Sequence, residues 1–429
     1  MGRDRMNGAA LDALGETVVD WRFKGMPLGM STMTVDRMRD AKLNLFEDGF
    51  STPLLTLEST ALSHNLELMA SWAARHGLAH APHGKTPLAP QLMQRQLELG
   101  AWGITAATPS HVRMYRHFGV QRIFLGNELV DAAALRWLSD ELSADPEFRF
   151  VCYVDSVRGV ELMDAALSHR VDVVVELGAT GSRTGVRSAA EADEVAQAVR
   201  ASRWLRLVGV AGYEGTLPDV DAARTVVADW MANLVATAHR FDAAGCFADL
   251  AADDEIVVSA GGSEHFDLVA AALTEEALEL SRPVLRLLRS GAYVTHDHLH
   301  YARITPLTDE AEHFLPALKL WAQVVSRPED GLALVNAGKR DVPYDLGLPV
   351  PLQIRTPTGL LRKAEGLTVT KLSDQHAFVE LAPGAAPLEV GDWVAFGLSH
   401  PCTAFEKWQL IPEVSPDGQT VVDYIRTFF

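Results

Sequence analysis

A chain of 429 residues, 48% of them hydrophobic and 22% charged, is long enough for two or three domains around a sizeable core. Its formal net charge of −18 argues against nucleic acid and anionic membrane as partners, and no apolar run approaches the ~20 residues that cross a bilayer. Three scattered cysteines, Cys152, Cys246 and Cys402, make no disulfide framework, so a reducing, cytoplasmic setting is the default. The opening "MGRDRMNGAALDALGETVVDW" carries no signal-peptide pattern.

Residues 1–50 give mixed signals and read as an N-terminal arm, or as a segment that returns to a second domain. From residue 51 short apolar runs alternate with helical periods. "PLLTLE" precedes a stretch with Leu62, Leu66, Met69 and Ala73 on one face. "GLAHAPHGK" precedes Leu88, Leu92 and Leu99, and "GITAAT" precedes "PSHVRMYRHFG", with proline at a helix start. "RIFLGNE", "FRFVCYVD", "VDVVVELG", "LRLVGVAGYEG", "EIVVSAGGS" and "VLRLLRSGAYV" follow as strands. Most are continuously apolar, as strands buried on both faces are. Eight or nine such units over about 250 residues predict an α/β (β/α)₈ barrel over 51–300, ahead of an open doubly wound sheet. Beyond residue 300 the rhythm changes to short runs split by Gly, Pro and Asp, such as "LKLWAQVVSR", "HAFVEL" and "DWVAFGLS". These predict a mostly antiparallel β domain over 301–429.

Barrel active sites gather at the carboxyl ends of the strands. Lys85 lies there, in "HAPHGKTPLAP", with His83 two residues before it. It reads either as a solvated loop lysine or as a Schiff-base amine of the kind pyridoxal phosphate (PLP) requires. In "SAGGSEHFD", Gly261 and Gly262 let backbone amides approach an anion, and Ser263 is placed to cap a helix. The alternative is a tight βα turn without a ligand. Tyr293, at the next strand end, is a phosphate donor or a core tyrosine. Arg183, in "ELGATGSRTGV", holds a carboxylate or the cofactor ring, or is a surface arginine. Tyr213, in "GYEG", lies against an aromatic cofactor or closes the barrel.

The sharpest feature lies downstream in "GLSHPCTAFEKW". His400 and Cys402 are two apart, and in extended chain they point the same way. Imidazole with thiolate selects zinc, and two protein ligands leave positions open for water and substrate. A buried free cysteine beside a loop histidine is the other reading. His296, His298 and His300 alternate in "THDHLHY" and could be extra metal ligands, though a polar strand edge or a supporting shell around the metal is favoured.

Together, "PHGKT", "GGSEHFD", "SGAYVTHDH" and "SHPCTAFEKW" resemble the D-serine dehydratase/D-threonine aldolase family over about residues 50–415. The resemblance implies PLP on Lys85, supported by His83, with a phosphate cradle at Gly261, Gly262, Ser263 and Tyr293. It implies Zn²⁺ on His400 and Cys402. It further implies a homodimer in which sites are shared between chains. The sequence departs from the family at Gly84, where alanine is common, and at Pro87, where histidine is common. The activity implied is elimination of water and ammonia from a small D-β-hydroxy amino acid, D-serine giving pyruvate. The open alternatives are a D-threonine aldolase-type C–C lyase and a PLP-binding carrier or regulatory protein without turnover. A racemase would need a second base that the sequence does not reveal.

Overall fold

The computed structural model describes residues 6–29, 32–217, 223–309 and 312–429. The chain divides into two compact units. One holds Met69–Lys85 and Gln94–Gly291; the other holds Gly8–Leu68, Thr86–Met93 and Ala292–Phe429.

In chain order the first strand is β1 (Leu54–Glu58). The next eight are β2 (Ala79–His80), β3 (Ile104–Ala106), β4 (Arg122–Glu128), β5 (Arg149–Val154), β6 (Val171–Leu177), β7 (Leu205–Gly212), β8 (Ile256–Ala260) and β9 (Val284–Leu288). These eight form one parallel sheet in the order β2-β9-β8-β7-β6-β5-β4-β3. The ring closes between its end strands through irregular backbone rather than a ladder. His83 bridges Thr105, Gly84 N donates to Thr105 O at 2.9 Å, and Thr105 N donates to Pro82 O at 2.9 Å. This is the expected (β/α)₈ barrel.

The helices between the strands follow the spacing of their apolar residues. Ala192, Val195, Ala196 and Val199 are all buried on helix Ala189–Ala201. Several helices begin on a side chain that accepts an N-terminal amide: Thr108 before Pro109, Asp131, Ser156 and Ser188. Each such cap contributes roughly 1 kcal/mol. The Leu88–Leu92–Leu99 period is cut short, because helix Pro90–Glu98 excludes Leu88 and leaves Leu99 41% exposed.

The second unit carries a mostly antiparallel sheet with strands β10 (Leu318–Glu329), β11 (Leu332–Val335), β12 (Val350–Arg355), β13 (Leu361–Lys363), β14 (Leu367–Leu372), β15 (Ala377–Leu381), β16 (Trp393–Gly397), β17 (Leu410–Val414) and β18 (Val421–Arg426). Strand β1, expected to start the barrel, sits in this sheet instead. It pairs antiparallel with β10 and parallel with β17. Leu54, Leu55 and Leu57 are fully buried, and an apolar run of that kind fits either sheet. Residues of the first 50 also pack here: Val19, Phe23, Met26, Val35, Met38, Leu43, Leu45 and Phe50 share a core with Trp321 and Tyr424. The segment from Ala292 onward likewise belongs to this unit rather than to the barrel. Strands β12 and β17 were not expected from sequence because each contains a proline. Pro351 sits at a register shift, the kind of place where a sheet tolerates it.

Candidate active site at the barrel mouth

The backbone that closes the barrel also carries the lysine. After the His83–Thr105 bridge the chain turns over residues 84–87, with Lys85 partly exposed in the turn. His83 N donates to Ser290 O at 3.1 Å, while His83 Nδ1 is buried without a hydrogen-bond partner. Burial, then the charges of Lys85, Arg289 and His111, hold His83 well below the usual imidazole pKa, so it is neutral. His111 is lowered by burial and then by Lys85. The lysine amine therefore has two uncharged imidazoles as neighbours, which place no second positive charge beside it.

Gly84 is fixed by its surroundings. A Cβ there would lie 2.5 Å from Tyr115 Oη and 2.8 Å from Ile104 Cγ2. The departure from the family's alanine is thus matched by a tyrosine packed over the backbone. Pro87 is buried in the turn.

Arg183, Tyr213 and Gly262 come together. The Arg183 guanidinium lies 5.1 Å from the Tyr213 ring centroid. The same ring packs on Gly262, where a Cβ would fall 2.4 Å from Tyr213 Cε2. The loop that carries Arg183 is tied down by Arg187, which donates to Thr184 O at 2.8 Å and to the carbonyls of Gly185 and Arg183.

Two details differ from the expected anion cradle. Gly261 N is already engaged, donating to Glu214 Oε2 at 2.9 Å. Ser263 is not a helix cap, since the helix spans Phe266–Ala272 with His265 at its N-cap position. Gly261 takes a positive φ of +114°, a conformation that favours glycine. Tyr293 belongs to the second unit, buried with its ring 6.0 Å from Phe314.

Sequence reasoning passed over several charged groups inside the barrel. Arg289 Nε donates to Ser259 Oγ at 2.8 Å and its Nη2 to Gly212 O, with the guanidinium 5.1 Å from the Phe124 ring and 5.5 Å from the Tyr153 ring. Glu128, Asp155 and Glu176, at the ends of β4, β5 and β6, bring carboxylate oxygens within 4.8 Å of one another. Burial and then Glu176 push Glu128 up to about 9, so this group keeps a proton at neutral pH. Each acid or arginine closes an apolar run ("RIFLGNE", "FRFVCYVD", "VDVVVELG", "VLRLLR"), and that position was the available signal.

The metal pair lies in the second unit. His400 and Cys402 do not alternate along a strand. His400 is left-handed (φ +46°, ψ 77°) and leads into the helical turn Pro401–Phe405, which holds Cys402. His400 Nδ1 meets Asp345 Oδ2 at 2.5 Å, and Cys402 Sγ lies 3.2 Å from Thr86 Oγ1. The Cys402 side chain first, then Asp345, raises His400 to about 9. The trio at 296–300 is not a strand edge. His296 is left-handed (φ +47°), and burial lowers both it and His298 to about 4. His300 begins the short helix His300–Ile304.

The residues fit the groups that the sequence implies. The orphaned His83 Nδ1, the orphaned Tyr153 Oη and the Tyr213–Gly262 packing suit an aromatic, polar cofactor beside Lys85. An imidazole hydrogen-bonded to a neighbouring thiol, with its Nδ1 held by a carboxylate, suits zinc.

Comparison with known proteins agrees with this architecture. The alanine racemase N-terminal domain matches residues 57–306, and the putative serine dehydratase domain matches residues 317–414. D-threonine aldolase of Arthrobacter sp is 28% identical over 357 residues, 81% of this chain and 85% of that protein. 3-Hydroxy-D-aspartate aldolase of Paracoccus denitrificans is 26% identical over 381 residues, 86% of this chain and 88% of that protein. The solved D-threonine aldolase from Filomicrobium marinum superposes with a TM-score of 0.72 at 25% identity, covering 88% of this chain and 95% of that one. D-threo-3-hydroxyaspartate dehydratase from Delftia sp. HT23 shares the fold, with a TM-score of 0.67 at 20% identity over 88% of this chain and 98% of that one. The first of these domain matches spans more than half of the chain, and the protein belongs to the alanine-racemase-like PLP lyases of the D-serine dehydratase/D-threonine aldolase family.

Proposed function

We propose that the protein is a PLP- and zinc-dependent lyase that converts a small D-β-hydroxy amino acid, with D-serine the first choice, to a 2-oxo acid and ammonia. Lys85 holds the cofactor and, once the substrate amine has replaced it, takes the Cα proton. His83 and His111, both kept neutral, let that amine lose and regain a proton without a competing positive charge. Arg183 and Tyr213 hold the cofactor ring, the Gly262–Ser263 turn and Tyr293 its phosphate. His400 and Cys402 carry the metal. When bound, PLP supplies an electron sink for the Cα carbanion and zinc a Lewis acid for the departing β-hydroxyl. One water leaves across Cα–Cβ, and one is taken up when the resulting imine hydrolyses, so D-serine yields pyruvate and ammonia.

The observation that carries the choice of elimination is the Cys402 sulfur beside His400, since a thiolate favours zinc where a carboxylate would favour Mn²⁺ or Mg²⁺. A second reading, C–C cleavage by an aldolase, draws support from the curated relatives, which are named aldolases. We also propose a homodimer in a reducing, cytoplasmic setting; none of the three cysteines forms a disulfide. No helix among the described residues is long and apolar enough to cross a membrane.

The deciding experiment incubates the PLP-loaded protein with D-serine, L-serine, D-threonine and D-threo-3-hydroxyaspartate, with and without a chelator. Ammonia and a 2-oxo acid from a D-substrate, lost on chelation and restored by zinc, are expected. Glycine and acetaldehyde from D-threonine as the main products would replace the dehydratase reading with the aldolase one. Turnover of L-serine, or turnover indifferent to the chelator, would end both.

A further inference from the structure

The geometry points to Asp345 as a positioning residue for the metal, the carboxylate that sets the tautomer and aim of His400, with Asp297 clamping the backbone beneath it. The inference rests on the metal-pair reading above. A metal takes the lone pair of a neutral imidazole nitrogen, and the partner of the other nitrogen decides which one is offered. Here Nδ1 is committed: it meets Asp345 Oδ2 at 2.5 Å, which keeps a proton on Nδ1 and leaves Nε2 as the nitrogen a metal would take. The second oxygen of Asp345 accepts from Thr403 Oγ1 at 3.3 Å, so the carboxylate is itself held in position from inside the same helical turn. Asp345 is not a third ligand. The oxygen nearest the pair already serves Nδ1, and among the described residues the only group of three with ligand atoms within 4.8 Å of one another is Glu128, Asp155 and Glu176.

The backbone needs a second anchor because His400 adopts a left-handed conformation that a residue with a Cβ avoids. Asp297 provides it. Its Oδ2 accepts from His400 N at 3.0 Å, and its Oδ1 accepts from Leu299 N at 3.0 Å and Tyr301 N at 2.9 Å. Asp297 is 3% exposed and stands between the two histidines of "THDH". What reads in sequence as an alternating histidine motif thus contributes its aspartate to the support of His400. Two carboxylates from distant parts of the chain converge on one histidine, one on its ring and one on its amide.

The test measures zinc affinity by competition with a chromophoric chelator on the PLP-loaded protein, and the thiolate-to-metal absorption band after Co²⁺ loading. Asp345→Ala should weaken zinc roughly 10- to 100-fold while cofactor absorbance and melting profile stay close to wild type. Asp345→Asn, which keeps an acceptor oxygen but not the charge, should fall between the two. A merely structural Asp345 would lower the melting temperature and leave the folded protein's metal affinity where it was. Wild-type zinc affinity in both variants overturns the inference and leaves the metal pair standing. Failure of the wild-type protein to take up zinc at all removes both.

Discussion

Replacing Gly84 with alanine places a methyl group where two side chains already meet. The new Cβ would sit 2.5 Å from Tyr115 Oη, 2.9 Å from Tyr115 Cζ and 2.8 Å from Ile104 Cγ2, each inside normal carbon contact distance. Tyr115 and Ile104 are both fully buried, so neither can swing into solvent. Overpacking of this kind costs about 1–3 kcal/mol, against about 0.4–1 kcal/mol gained from the stiffer unfolded chain, and the clash wins. For a unit of this size that is a fall in melting temperature of about 2–8 °C. Tyr115 offers the control. Its hydroxyl is buried without a partner, so Tyr115→Phe alone should be neutral or slightly stabilising. In the double variant the closest atom is gone while Ile104 remains, so roughly half of the loss should return, a coupling on the order of 1 kcal/mol. Thermal denaturation of the four proteins, followed by circular dichroism, reads the cycle. A Gly84→Ala protein as stable as wild type, or a double variant no better than Gly84→Ala, would refute the packing argument.

The acid cluster gives a pH signature. Glu128 is held near 9 in the folded protein, above its unfolded value, so between about pH 4.5 and 9 the folded state binds more protons and stability declines as pH rises, by at most about 1.4 kcal/mol per pH unit. Glu128→Gln should flatten that decline in urea titrations at pH 5, 7 and 9; parallel slopes in the two proteins would refute it. Gly262→Ala should push the Tyr213 ring from its seat, since the methyl would fall 2.4 Å from Cε2, and weaken PLP binding at least tenfold in an absorbance titration. Unchanged affinity would detach Tyr213 from the cofactor.

The barrel was legible because its strands are buried on both faces and its helices keep a regular apolar face, and both leave periodic traces. Strand β1 was misassigned because Leu54–Leu57 carry the same apolar trace in either sheet; only pairing with β10 and β17 decides. Strands β12 and β17 were hidden by Pro351 and Pro412, residues that local reasoning takes as breaks. Among site residues, Lys85, His400 and Cys402 stood out through short motifs. Arg289 and the Glu128–Asp155–Glu176 group did not, because each member is one polar residue ending an apolar run and the cluster exists only once the strands lie side by side. The His400–Asp345 contact joins residues 55 positions apart, a separation no motif spans.

The pairing of β1 bears on how the protein is made. Its neighbours β10 and β17 lie in the last third of the chain, so on the ribosome β1 emerges early and waits for partners synthesised after the whole barrel. All eight barrel strands are translated in that interval, which makes the barrel an insertion in the synthesis of the second sheet and gives it time to fold first. Until β10 arrives, Leu54, Leu55 and Leu57 remain an unpaired apolar strand, the segment a nascent-chain chaperone would be expected to hold.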